Sequence, residues 1–278
     1  MKKILLTILV VFFVAPQAFA FNPLVACPGS VAAADYCSSQ TWATLSSFKL
    51  DFDHATPETA CLSTGTEVGT LSGATIATPA TVSPGSGGAA LLANANSEVI
   101  SFDNALPYFR SLYGEIYITF FMSEANTATD YLFKAEGVAF QDELRINVNT
   151  VQAPGAFWED NNGGSVSLSS GFDMDADCGG ACYAYWIQVH VKWDTTRCSD
   201  GADTCDGVGE DELGVRVRYY NAGWQAWSSW AYETSALDFE AFSSEPTAGE
   251  ILTGITSNSF DATYYIDDVE ISYNQPSW

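Results

Sequence analysis

The sequence predicts an all-β fold, an antiparallel sandwich or jelly roll with little helix. Three observations predict it. Short runs of alternating apolar and polar residues, bounded by turn residues, recur from about residue 98 to the end. No run sustains a 3.6-residue period. Aromatic residues make up 14% of the chain and charged residues only 16%, the balance of a packed sheet protein. Many short strands at close spacing form sandwiches or jelly rolls rather than isolated sheets.

Residues 1–20 stand apart from the rest of the chain. Lys2 and Lys3 precede an apolar run over 4–15, and Ala18-Phe19-Ala20 is a small-residue cleavage site. The run is too short to span a bilayer, so it reads as a secretory signal peptide. No other stretch is long and apolar enough to cross a membrane. Residues 21–47 form an N-terminal segment, and 48–278 one domain. Within it, 48–53 alternates as a strand. Residues 64–97 are rich in Gly, Ser, Thr, Ala and Pro and read as a long loop or weak edge strands. Strand signals follow at 99–102, 114–122, 130–136, 143–149, 183–194 and 214–220. Then come an Asn221-Ala222-Gly223 turn, a Trp-rich return strand and a closing strand at 264–273.

The net charge is −24, and losing the leader with its two lysines makes it more negative. That charge argues against nucleic acid and anionic membranes as partners. The charge fits an extracellular protein, or one that binds Ca²⁺. Seven cysteines in an exported chain imply pairing. Cys178–Cys182 and Cys198–Cys205 are near enough in sequence to staple loops, and Cys37–Cys61 is a third pair. Cys27 is then left over, unless it partners Cys37 or Cys61. Leu24-Val25-Ala26-Cys27 resembles a bacterial lipobox, which implies an outer-membrane lipoprotein anchored at Cys27 as the alternative to free secretion.

Four segments carry a resemblance. Gly114-Glu115-Ile116-Tyr117-Ile118-Thr119-Phe120-Phe121, Tyr131-Leu132-Phe133-Lys134, the run from Trp186 to Asp194, and Tyr265-Ile266-Asp267-Asp268-Val269-Glu270-Ile271 resemble, in order, strands of concanavalin A-like (laminin G-like) jelly rolls. The resemblance covers about 98–275 and implies the fold far more than the function. In such jelly rolls an open sheet commonly holds carbohydrate.

Strand alternation selects the candidate face. Arg145 and Asn147 oppose Leu144, Ile146 and Val148. Trp186, Gln188, His190 and Lys192 oppose Ile187, Val189, Val191 and Trp193. Arg216, Arg218 and Tyr220 oppose Val215, Val217 and Tyr219. If these strands are neighbours, Arg145, Lys192, Arg216 and Arg218 share one face, suited to the carboxylates or sulfates of an acidic polysaccharide. The alternative is an exposed face of cross-strand ion pairs. Trp224, Trp227 and Trp230 follow the turn, and tryptophan stacks on sugar rings. A spacing of three does not keep them on one face of a strand, so at least one is expected in the core.

Glu143-Leu144-Arg145, Gln188-Val189-His190 and Tyr219-Tyr220-Asn221 resemble segments of alginate lyase-type jelly rolls. That resemblance implies Arg145 and Gln188 as carboxylate neutralisers, His190 as base and Tyr220 in the tyrosine role. Gln141, Asn221 and Gln225 depart from the pattern. Asp173, Asp175 and Asp177 alternate in a loop, as carboxylates converging on Ca²⁺ do, and the jelly-roll resemblance adds Asp267 and Asp268. The leading expectation is a secreted carbohydrate-binding or adhesion protein. The runner-up is a polysaccharide lyase on uronic acid glycans. A structural surface protein without a small ligand is the third.

Overall fold

The computed structural model describes residues 47–50, 69–72, 75–77, 84, 90–93, 98–102, 113–122, 130–136, 143–148, 153–159, 165–174, 176–180, 182–194, 213–233, 248–253 and 263–277. They form fifteen strands: β1 (Ser47–Leu50), β2 (Gly69–Ser72), β3 (Thr75–Ala77), β4 (Ala90–Ala93), β5 (Glu98–Phe102), β6 (Tyr113–Met122), β7 (Asp130–Glu136), β8 (Glu143–Val148), β9 (Gly155–Glu159), β10 (Ser165–Ser169), β11 (Trp186–Asp194), β12 (Leu213–Tyr220), β13 (Ala231–Tyr232), β14 (Ala248–Thr253) and β15 (Tyr264–Ser272). Three short strands, β2 to β4, lie within 64–97. The run predicted from 183 begins as a 3-10 turn, Cys182–Ala184, before β11.

The strands build an antiparallel jelly-roll sandwich. The first sheet runs β13-β12-β11-β6-β15-β4-β3, with β1 also paired to β15. The second runs β10-β9-β8-β7-β14-β5-β2. Alternation explains why these sheets face each other. Ile116, Ile118 and Phe120 of β6 turn inward with Ile187, Val189, Val191 and Trp193 of β11 and Val215 and Val217 of β12. They meet Leu144, Ile146, Ala156 and Trp158 of the second sheet in one buried core. Gly114 is glycine for a packing reason: a Cβ there would lie 2.4 Å from the Trp193 ring and 2.6 Å from Ser272 O.

One irregularity shapes the functional face. In β15 the inward residues are Tyr264 and Ile266, then Val269 and Ile271, a change from even to odd. The pairing with β6 shifts between Asp267 and Val269, so Asp268 is the extra residue of a bulge. Asp268 has φ 46°, a left-handed conformation that aspartate tolerates. Its N–H donates to Asp267 Oδ1 at 2.8 Å. The far edge of β15 changes partner here, from β4 at 264–266 to β1 at 269–272. This brings Lys49 within 3.0 Å of Asp268.

Cys178 and Cys182 are disulfide-bonded. Cys27, Cys37, Cys61, Cys198 and Cys205 lie outside the described residues. Among the described residues, no helix is long and apolar enough to cross a membrane.

Candidate functional site

The outer face of the first sheet carries rows of polar side chains set by register. β11 lies between β6 and β12, so His190 faces Tyr117 on one side and Arg216 on the other. Gln188 likewise faces Thr119 and Arg218. Across β6, Tyr117 pairs with Glu270 and Glu115 with Ser272 of β15.

Arg145 and Asn147 are not part of this face. β8 belongs to the second sheet, where Arg145 lies between the rings of Tyr131 and Phe157, each 4.8 Å away. Arg145 Nη1 donates to Tyr131 Oη at 3.0 Å. Expecting three neighbouring strands assumed one sheet, whereas the chain crosses to the other sheet between β6 and β7 and returns only at β11. The four-residue lyase constellation of Arg145, Gln188, His190 and Tyr220 is therefore not assembled.

The tryptophans correct the sequence reading in the other direction. Gln225 N donates to Tyr219 O at 2.9 Å, Ser228 N donates to Val217 O at 2.8 Å, and Ala231 pairs with Val215. Three residues of the return segment thus advance against two of β12. Residues 224–230 do not form a two-residue pleat, and a three-residue period, like that of polyproline II, keeps every third side chain on one side. All three tryptophans consequently stand over the outer face.

There they interleave with the cations of β12 and β11. The Arg218 guanidinium carbon lies 4.5 Å from the centre of a Trp224 ring and 4.4 Å from Trp227. Arg216 lies 4.5 Å from Trp227 and 4.3 Å from Trp230. Lys192 Nζ lies 4.2 Å from Trp230 and 5.1 Å from Tyr232. The alternation of Arg218 and Arg216 along β12 would put the next outward side chain at position 214, which is glycine. A Cβ there would lie 3.2 Å from both Lys192 Cε and the Tyr232 ring. Its absence lets Lys192 reach across from β11 into the third cation slot, where Nζ also donates to Ser277 O at 2.7 Å. Lys192 is only 1% exposed. Each cation–π contact is worth about 0.5–1 kcal/mol at the surface and about 2 when desolvated.

Arg216 Nε donates to His190 Nδ1 at 3.1 Å, which makes His190 a neutral ring with its proton on Nε2. Nε2 lies 3.3 Å from Glu115 Oε2, within reach of its charge but outside hydrogen-bond geometry. Tyr117 stacks on the imidazole at 3.8 Å and Trp230 meets it edge-on at 4.7 Å. Burial holds His190 below its ordinary pKa, against the upward pull of Glu115. Glu115 is held below the usual carboxylate range, chiefly by its contact with His190. Tyr117 donates to Glu115 Oε2 at 3.1 Å and is pushed up to about 12, by burial first and then by that carboxylate. His190 is 2% exposed, with Nδ1 already accepting a bond. It is not placed to take a substrate proton. Tyr220 lies one row beyond Gln188 and packs edge-on to Trp224 at 5.5 Å.

Beside this lattice is a cleft of about 360 Å³. Glu115 and Tyr117 of β6, Gln188 of β11, Arg218 of β12, Asp268, Glu270 and Ser272 of β15 and Lys49 of β1 line it. Arg218 Nε and Nη2 both donate to Gln188 Oε1, at 2.8 and 2.6 Å, and Gln188 Nε2 donates to Thr119 Oγ1 at 3.0 Å. Of the residues singled out from sequence, the face gathers Gln188, His190, Lys192, Arg216, Arg218, Trp224 and Trp227. Sequence reasoning missed Glu115, Tyr117, Glu270 and Lys49. The outward phase of β6 was readable from Ile116, Ile118 and Phe120, but the bulge hides that of Glu270.

For the calcium candidates, Asp173 and Asp177 cap a turn: Asp173 N donates to Asp177 Oδ2 at 2.9 Å and Ala176 N to Asp173 Oδ1 at 3.2 Å. Asp175 lies outside the described residues. Asp267 is buried in β15 and Asp268 pairs with Lys49. Among the described residues, no three His, Cys, Asp or Glu side chains are grouped to hold a metal ion.

No family model and no curated protein matches the chain. Among solved structures it is similar to the receptor-binding domain of botulinum neurotoxin D, with 12% identity and TM-score 0.45 over 73% of this chain and 45% of that one. It is also similar to the binding domain of serotype G, with 11% identity and TM-score 0.43 over 74% and 44%. A third is the binding domain of botulinum neurotoxin DC in complex with SialylT, with 10% identity and TM-score 0.44 over 73% and 44%. The chain spans less than half the length of each.

Proposed function

We propose that the chain is an exported carbohydrate-binding protein of the concanavalin A-like jelly-roll kind, and that it takes a glycan in the cleft between β12 and β15. The observation that carries this reading is the lining of that cleft. Carboxylates, a guanidinium, a primary amide, a phenol and a hydroxyl converge in about 360 Å³, within the size range of small-molecule sites. Sugars are hydroxyl-rich, and such a mixed donor and acceptor set matches them. The lattice of rings and cations fixes one wall before any ligand arrives, which lowers the ordering cost of binding. Removal of the leader at Ala20 and release from the cell accompany this reading. The test is a glycan array probed with the purified protein, wild type and Arg218→Ala. Binding to a defined glycan that the variant loses supports the proposal. Retention of that binding by the variant sinks it.

A further inference from the structure

Of the four cations expected on this face, only Arg218 reaches the cleft. Lys192 and Arg216 are turned into slots between aromatic rings, and neither lines it. Lys49 is paired with Asp268. That leaves Arg218, whose Nε and Nη2 are committed to Gln188 and whose Nη1 has no hydrogen-bond partner among the described residues. On the opposite side is Glu270, an exposed carboxylate that makes no hydrogen bond or ion pair among the described residues. Three carboxylates, Glu115, Asp268 and Glu270, therefore face two cations, in a chain of net charge −24. A polyanion entering here meets repulsion both locally and from the whole molecule.

We infer that the cleft selects an uncharged pyranose residue of a glycan, with Arg218 Nη1 donating to a ligand oxygen and Glu270 accepting from ligand hydroxyls. The inference rests on the reading of the cleft as a glycan site and narrows it to a ligand class. Geometry supports one saccharide rather than an ion. Glu270 and Arg218 are three inter-strand steps and a two-residue offset apart, so their Cα atoms are separated by about 16 Å at the usual strand spacing. Two rings hold the guanidinium, so its donor is presented in a fixed direction. Glu270 Oε atoms can accept from adjacent hydroxyls, which a carboxylate or sulfate on the ligand cannot offer.

The experiment is titration calorimetry of the full chain with three probes: a neutral N-acetylglucosamine tetrasaccharide, alginate and heparin. Each is run at low and high salt, with wild type and Glu270→Gln. Glu270 is exposed, so this variant leaves the fold in place. Binding of the neutral probe with little salt dependence, weakened about tenfold to a hundredfold in Glu270→Gln, is the expected result. Binding of alginate or heparin alone, weakened by salt and tightened by Glu270→Gln, overturns the inference and leaves the glycan-site reading standing. No binding of any probe, together with an empty glycan array, overturns both.

Discussion

Trp227 is the middle ring of the ladder, and replacing it tests whether the ladder holds the face together. Its ring lies 4.4 Å from the Arg218 guanidinium and 4.5 Å from that of Arg216. It also approaches the His190 ring, at 5.8 Å between centroids. Trp227 is half-buried, so each cation–π contact falls between its exposed and desolvated worth, and two together give about 1–3 kcal/mol. Lost apolar burial adds part of the 3–5 kcal/mol typical of a fully buried aromatic truncation. Trp227→Ala is expected to cost about 3–4 kcal/mol, and Trp227→Phe, which keeps a ring between the cations, about 1. Urea denaturation of the two variants reads both values directly, with an unchanged m-value as the sign that the native state persists. The sharper quantity is coupling. A double-mutant cycle of Trp227→Ala with Arg216→Gln is expected to return at least about 0.5 kcal/mol of interaction, as groups in contact do. A cycle that closes to zero refutes the ladder as a source of stability, whatever the single variants cost.

Three other outcomes follow from the same structure. Gly214→Ala places a methyl 3.2 Å from Lys192 Cε and the Tyr232 ring, and its thermal midpoint is expected to fall, with larger residues worse; a midpoint equal to wild type removes the spatial reason for that glycine. His190 has a folded pKa below its ordinary 6.5, so its stabilising contribution is complete above pH 6.5 and declines as pH falls, when the unfolded chain takes up the proton and the folded one does not. Denaturation between pH 7 and 5 is expected to show a slope of at most about 1.4 kcal/mol per pH unit from this group, which His190→Gln flattens; an unchanged slope in the variant places the dependence elsewhere. Replacing both Cys178 and Cys182 by serine opens a loop of sequence separation 4, and the chain-entropy relation gives a loss of about 2 kcal/mol. A reducing-agent titration followed by thermal melting checks it, and an unshifted melt contradicts it.

The sandwich was legible because its core strands obey one rule. Ile116, Ile118 and Phe120, and Ile187, Val189 and Val191, alternate without interruption, and the pleat alone assigns them to the core. The site was legible in part, for the same reason. Gln188, His190, Arg216 and Arg218 sit on outward phases of two strands that sequence proximity made plausible neighbours, and register confirms the pairing. Arg145 shows where alternation stops informing. It gives the face of a strand within its own sheet but not which sheet the strand joins, and that is decided by crossovers spanning many residues. The tryptophans failed for a different reason. A period of three is incoherent on a pleated strand, yet it matches a segment that pairs three residues against two of its neighbour. Glu270 was hidden by the single inserted residue at Asp268, which reverses the phase of β15 midway.

The most direct test is NMR mapping of the site with the neutral tetrasaccharide that the cleft is proposed to bind. On ¹⁵N-labelled protein, the expected shifts cluster on the side-chain resonances of Arg218 and Gln188 and on backbone amides around Tyr117 and Glu270, while those of β8 and β9 stay still. Shifts centred on Arg145 and Phe157 instead would put the ligand on the opposite sheet and contradict the site.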